Sequence, residues 1–321
     1  MSIKTHKINS DPRLSTSLVD SKTFTKNPLV VIDVGSLGGF EEHWSIYKNQ
    51  IKLIGFEPGE DSKGDYYPVA LDQKKGTRIL HLVNHRPSSS FYRPNDKFKR
   101  FPDYSNAGFK IKKIVKTIDL DTFSKIEKLR DVDFIKLDAE GSEFDVLKGA
   151  KSKLKDSVLG LSIEVVFDQW SRAQDTFGVV DDFLKQYGFV LHDLILFRHA
   201  KKILSPQMFY KYPGPTEYGQ VTWGQALYFK DAVPEIRDKK LAKKWSENNI
   251  LKLASLMEIY NLPDCSAELI KTGYEKGLLK GYNYKKLLNL LTPRVNNRIV
   301  SYEEYIQYLK KTTRKYKPSK K

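Results

Sequence analysis

The amino-acid sequence predicts an α/β fold on a doubly wound, mainly parallel sheet, followed by a small helical appendage. Three observations point there. Apolar runs alternate with amphipathic stretches as far as about residue 230, the pattern of strands joined by crossover helices. The run VVIDVGSLGG (30–39) ends in Asp33 and opens at once into Gly35, Gly38 and Gly39, the form of a nucleotide-binding turn at the end of a buried strand. Beyond residue 231 the spacing turns helical, interrupted at Pro263 and between Gly273 and Gly281.

Taken in order, the apolar runs place strands near 29–33, 51–57, 66–71, 132–138, 158–166, 189–197 and 225–230. Helices are expected near 40–49, 119–129, 143–154 and 179–187. The stretch 78–118 is less regular, RILHLV followed by a polar loop and KIKKIVKTI, and suggests an inserted hairpin or extra strands. Loops of that size in a compact domain are usually functional. The expected organisation is a polar N-terminal extension (1–27), a nucleotide-binding domain (28–230), a helical appendage (231–309) and a basic disordered tail (310–321).

With 321 residues, 40% of them hydrophobic, the chain can bury a full core. A single cysteine, Cys265, excludes an intrachain disulfide and suggests a reducing compartment. No apolar run approaches the roughly 20 residues that cross a bilayer, and the N-terminus shows no apolar signal core, so a cytoplasmic protein is expected. The net charge is +16, and residues 231–321 carry 20 Lys and Arg against 10 Asp and Glu, so most of the excess lies outside the nucleotide-binding part. The tail KKTTRKYKPSKK could attract phosphate, anionic headgroups or nucleic acid and bring the protein to a membrane periphery, or act only as a solvated extension.

The acidic residues narrow the ligand. A carboxylate just before the glycines, Asp33, would sit badly beside a dinucleotide pyrophosphate but well beside a cationic methionine ammonium. Glu57 ends the strand of IKLIGFEP (51–58), 24 positions later, where a carboxylate grips ribose hydroxyls. A nicotinamide-dependent dehydrogenase would carry G-x-G-x-x-G, which Gly35, Gly38 and Gly39 do not form. In VDFIKLDAEGSEFDVLKGA (132–150) a further strand delivers Asp138 to its C-terminal end, and Gly141 and Ser142 turn the chain into a helix whose Ser142 and Asp145 match a capping pattern. Glu140 and Glu143 there could serve the site or only complement the helix dipole.

DVGSLGG, GFEP, SSSFYRPN (88–95), TIDLDTF (117–123), FIKLDAEGSEFDVLKGA, LSIEVVF (161–167), FLKQYGFVLHDL (183–194) and WGQALYF (223–229) occur in an order that resembles FkbM-type methyltransferases. These enzymes use S-adenosylmethionine, often to O-methylate sugars. The resemblance covers about residues 28–230, and Ser36 and Leu37 stand where an alanine-asparagine pair is common. It implies a Rossmann-like class I methyltransferase sheet of seven mostly parallel strands. It also implies a cofactor site of Asp33, Gly35, Ser36, Gly39, Glu57, Ala70, Leu71 and Asp138.

A sugar hydroxyl is a poor nucleophile, so a base or a metal ion such as magnesium should help. Asp138 and Glu164, at the ends of adjacent predicted strands, are base candidates by position, with His85 a third beside the polar loop; Glu164 could equally be structural or face the cofactor. The histidines show no metal-ligand spacing. For a sugar or glycoconjugate acceptor the candidates are Arg86, Ser88, Ser89, Ser90, Arg93 and Glu140, side chains suited to hydrogen-bonding. The alternatives are an RNA methyltransferase acting on ribose through the basic appendage, and a docking protein of a glycan-assembly complex.

Overall fold

A computed structural model describes residues 6–35, 39–58, 66–83, 88–102, 109–204 and 214–313. Its contacts group the chain into two units, one of Met1–His6, Leu29–Glu42 and Ile51–Lys230, the other of Lys7–Pro28, His43–Gln50 and Asp231–Lys321.

The first unit is α/β. Its strands are β1 (Leu29–Val34), β2 (Ile51–Phe56), β3 (Tyr66–Tyr67), β4 (Ala70–Leu71), β5 (Gly76–Val83), β6 (Phe109–Ile118), β7 (Phe134–Leu137), β8 (Gly160–Val166), β9 (Phe189–His199) and β10 (Gln220–Lys230). Seven of them make the main sheet, in the order β3-β2-β1-β7-β8-β10-β9. Numbered within that sheet alone, the order is 3-2-1-4-5-7-6. The five strands from β3 to β8 pair in parallel, and β10 runs antiparallel between β8 and β9. β1 and β7 lack exposed apolar side chains because both faces are covered, as a parallel sheet requires.

Helices Leu120–Ile126, Glu143–Lys148, Lys151–Asp156 and Phe177–Lys185 join these strands, and Leu120, Phe123, Val146, Leu147, Leu154, Val180 and Leu184 enter one core with Ile32, Ile135 and Ile163. Asp119 caps the first, accepting from Thr122 N at 2.8 Å. The expected helix 143–154 is two short ones, broken at Gly149. A Cβ there would lie 2.2 Å from Asp72 O, so a chain crossing at that point admits only glycine. The expected cap by Ser142 and Asp145 does not form. Ser142 Oγ donates to Ala139 O instead, and Asp145 turns to Arg78 and Lys148.

The expected strand 66–71 is also divided. Pro68 has no N–H for a ladder, the chain turns there with Val69 N donating to Tyr67 O, and β4 joins a second sheet, β4-β6-β5. This three-stranded sheet is the insertion expected over 78–118, and β5 and β6 are its antiparallel pair.

The second unit is helical. It holds Arg13–Asp20, Ala232–Arg237, Glu247–Ile259, Pro263–Glu275, Tyr284–Leu291 and Tyr302–Thr312. Residues expected as a polar extension therefore supply a helix, because its apolar stripe, Leu14, Leu18 and Val19, is buried. Pro12 offers that helix no side-chain cap. The buried Glu258 does so from afar, accepting from Leu14 N at 2.8 Å, Ser15 N at 2.7 Å and Ser15 Oγ at 2.7 Å. Buried Lys252 donates to Pro28 O at 2.8 Å, and Tyr47 OH meets Ser255 Oγ at 2.8 Å. The helix expected at 40–49 is a 3₁₀ helix, Glu42–Tyr47. Of the expected tail, 310–312 form the last turn of Tyr302–Thr312, and 314–321 lie outside the described residues.

Candidate active site

β1 and β7 are adjacent, yet the chain leaves them toward opposite edges of the sheet, and the carboxyl ends of such a pair border the crevice where α/β sheets bind ligands. Gly35 leaves β1 at φ +77°, its N–H donating to Phe56 O at 3.1 Å. A Cβ on it would lie 1.8 Å from Asp138 O, so the close approach of the two strand ends depends on glycine. Gly39 has φ +102°, and a Cβ there would lie 3.7 Å from Tyr66 OH. Ser36 lies outside the described residues.

Register decides which acids meet. Asp33 pairs with Lys136, and Leu137 pairs with Ile163; Asp138 follows the end of β7, whereas Glu164, expected at a strand end, lies inside β8 and pairs with Gln225 of β10. Asp138 shares a sheet face with Lys136, two residues before it. Lys136 Nζ lies 3.0 Å from Oδ1 of Asp33, which is only 2% exposed.

This face concentrates carboxyl groups where water is scarce. Burial raises the pKa of Asp33 and Asp138, with Lys136 opposing it in both. Burial also lifts Glu41, and lifts Glu164 well above the ordinary carboxyl range, aided by Asp138, Glu140 and Glu143. Glu140, held at φ +52°, is raised well above that range by burial, then by Asp138 and Glu143. Glu143 is pushed up to about 7 by burial, although Ala139 N and Gly141 N donate to its Oε1 at 2.8 and 3.0 Å. Burial works against the Lys136 ammonium, yet Asp33, Asp138 and Glu41 hold its pKa above that of an ordinary lysine. Lys136 thus serves four of these carboxyl groups, Asp33, Glu41, Asp138 and Glu164, an arrangement that raises their affinity for protons.

Glu57 follows the end of β2, half-buried, with its N–H donating to Tyr67 O at 3.2 Å. Ala70 and Leu71 are buried in β4, paired with Thr117 and Ile118 of β6. The serine loop is tied down. Ser90 bridges His81 through backbone bonds and its Oγ accepts from Tyr92 N at 3.0 Å, while Ser89 Oγ accepts from Val83 N at 3.4 Å. The Phe91 and Tyr92 rings lie 4.4 and 5.1 Å from the Arg78 guanidinium, and Tyr92 OH donates to Asp145. Ser88 and Arg93 are exposed, and Arg93 O accepts from Arg172 N at 2.8 Å. His85 and Arg86 lie outside the described residues.

Lys136 and Glu41 were not among the expected site residues. Lys136 had a visible signal, a lysine inside the otherwise apolar strand FIKL. Among the described residues no group of three or more His, Cys, Asp or Glu is arranged to hold a metal ion, and no helix is long and apolar enough to cross a membrane.

The sheet order, the glycine turn and the acidic strand ends define a Rossmann-like enzyme of the S-adenosylmethionine-dependent methyltransferase class. Residues 33–191 match the family model described as the Methyltransferase FkbM domain. No curated protein matches the chain. Among solved structures it is similar to precorrin-6y C5,15-methyltransferase from Geobacter metallireducens, at 13% identity over 71% of this chain and 94% of that one, with a TM-score of 0.27. A SAM-dependent methyltransferase from Agrobacterium tumefaciens shows 11% identity over 70% of this chain and 63% of that one, with a TM-score of 0.29. A 1,6-didemethyltoxoflavin-N1-methyltransferase from Burkholderia thailandensis, solved with 1,6-didemethyltoxoflavin and S-adenosylhomocysteine, shows 11% identity over 69% and 78%, with a TM-score of 0.25. At these scores the likenesses say nothing of this chain's substrate.

Proposed function

We propose that this methyltransferase acts on a hydroxyl of a sugar in a glycan or glycoconjugate, with Asp138 as the base. The observation that carries the reading is the position of Asp138, just past the end of β7, inside a group of carboxyls, Glu164 among them, that burial keeps proton-hungry. An alcohol gives up its proton reluctantly, and a carboxylate whose pKa is raised toward neutrality is a better acceptor than an ordinary one.

The crevice suits the cofactor. Gly39 leaves backbone space where a side chain would stand, and acids line a place that a sulfonium and an ammonium would fill. Asp33, Gly35, Ser36 and Gly39 are proposed to hold the methionine end, Glu57 the ribose hydroxyls, and Ala70 and Leu71 to border them. S-adenosylmethionine, when bound, supplies a methyl group already activated for transfer, so the chain's own task is alignment and proton acceptance. As the acceptor oxygen gains the methyl group, its proton passes to the Asp138 carboxylate, whose affinity for it burial raises and Lys136 lowers. The exposed Ser88 and Arg93, with Arg86 and Glu140, are the proposed acceptor contacts.

The deciding experiment supplies S-adenosylmethionine with a labelled methyl group to fractionated cell extract and sorts the product into lipid, glycan, RNA and protein. Label in glycan or glycolipid is expected. Label confined to RNA replaces this reading with ribose methylation, and no transfer to any fraction favours a docking role.

A further inference from the structure

The antiparallel pair β5–β6 presents one face outward. Register sets Thr77 opposite Lys116 and Ile79 opposite Ile114, so these side chains share that face with Lys112, whose partner His81 is buried. Ile79 is 47% exposed and Ile114 74%, while Leu80 and Val115, on the other face, are buried. Lys112 and Lys116 are exposed on either side of Ile114, and the turn leading into β5 adds exposed Lys74 and Lys75, tied to β6 where Thr117 Oγ1 donates to Lys74 O. These four lysines form no ion pair with any described residue, and no acid stands on the face.

A pair of isoleucines left in water among unpaired lysines is a surface awaiting a partner that is both apolar and anionic. We propose that this face docks on an anionic lipid bilayer, with Ile79 and Ile114 entering the boundary between headgroups and acyl chains and the lysines meeting lipid phosphates. Lysine suits that geometry because its apolar stem lies along the hydrocarbon while its ammonium stays among the headgroups. Among its described exposed side chains the face carries no arginine and no aromatic ring, the His81 ring being buried, so a bilayer fits it better than RNA. The site is separate from the strand-end carboxylates and does not depend on the sugar acceptor.

The test is co-sedimentation of the full chain with vesicles of phosphatidylcholine alone and of phosphatidylcholine mixed with phosphatidylglycerol. Binding to the mixed vesicles only is expected, weakening as salt rises. Each lysine near an anionic surface contributes about fivefold in partitioning, so Lys112→Glu with Lys116→Glu should lower it at least tenfold. Ile79→Ser with Ile114→Ser should lower it several-fold with charge unchanged, which a purely ionic attraction would not show. Both losses should persist after residues 314–321 are deleted. Thermal stabilisation by S-adenosylhomocysteine should be unchanged in both variants; if a variant loses it, Lys112→Gln with Lys116→Gln replaces that variant. Wild-type sedimentation of folded variants overturns the proposal. So does equal binding to neutral vesicles, or an RNA oligonucleotide bound through these residues while the mixed vesicles are ignored.

Discussion

Lys136 reaches from β7 to Asp33 on β1, its Nζ 3.0 Å from Oδ1, and the two residues are register partners in adjacent strands. Asp33 is almost wholly buried, so without Lys136 it would be left as an uncompensated charge. Removing one partner of such a pair costs about 3–5 kcal/mol. Lys136→Met should therefore lower the unfolding free energy in urea by about 3 kcal/mol or more, and Asp33→Asn on that background should restore part of it. Equal stability of Lys136→Met and wild type would show that the pair contributes nothing.

The cofactor assignment is tested at Glu57. Its loss removes a charge-assisted hydrogen bond, so Glu57→Ala should weaken S-adenosylmethionine binding by about 1.5–3 kcal/mol, roughly ten- to a hundredfold. Asp33→Ala should do at least as much damage. Wild-type affinities in both variants by calorimetry would move the cofactor elsewhere.

Asp138→Asn should leave cofactor binding largely intact and reduce turnover by roughly 10²-fold, the scale for a lost general base. The base works only when ionised, and burial raises its pKa, so activity should fall as pH drops through that raised value. Lys136 opposes the rise in the Asp138 pKa, so Lys136→Met should shift this acid limb to higher pH. A limb that stays in place would dissociate Lys136 from the base. EDTA in the same assay checks for a metal: loss of activity restored by magnesium would make Asp138 and Glu164 ligand candidates.

Glu143 makes the same chemistry visible in stability. Its folded pKa is about 7, above the ordinary glutamate value of 4.5, so between those two the folded state holds a proton that the unfolded chain has released. Stability therefore falls as pH rises through that window. Glu143→Gln keeps an oxygen for the Ala139 and Gly141 N–H groups and should flatten the decline. Denaturant midpoints measured at several pH values between 4.5 and 7 would reveal it, and an unchanged slope would remove Glu143 from the set.

In the helical unit, Glu258→Ala leaves the Leu14 and Ser15 N–H groups without their acceptor inside a buried contact. A loss of about 2 kcal/mol is expected, within the range for orphaned buried donors. Hydrogen exchange should report it locally, as faster exchange in Arg13–Asp20.

Much of this was legible in the chain. VVIDVGSLGG and IKLIGFEP announced two parallel strands and their acidic ends because apolar runs capped by Gly and Asp or Glu have few other uses. Register was harder: Asp138 and Glu164 were named as neighbours from strand order, but the ion pair of Asp33 with Lys136 depends on which residues of β1 and β7 face each other, which no single sequence states. The sequence does not tell the 3₁₀ helix Glu42–Tyr47 from an α-helix, because Trp44 and Tyr47, three apart, suit either. The role of 7–28 was hidden for another reason. Its helix lacks a cap of its own, and the carboxylate that supplies one is far along the chain.

That distance has a consequence during synthesis. Glu258 lies 243 residues beyond Ser15 and 244 beyond Leu14. At about 5–20 residues per second, the first helix waits roughly 10–50 s on the ribosome before its acceptor is made. Over that interval a short, uncapped segment with an apolar stripe has only early partners such as Gln50, whose Nε2 donates to Val19 O at 2.7 Å, while the α/β strands that follow it are already emerging. A helical unit ordinarily assembles from local contacts and quickly; this one closes its longest loops last, so its folding rate is set by the order of translation as much as by helix propensity.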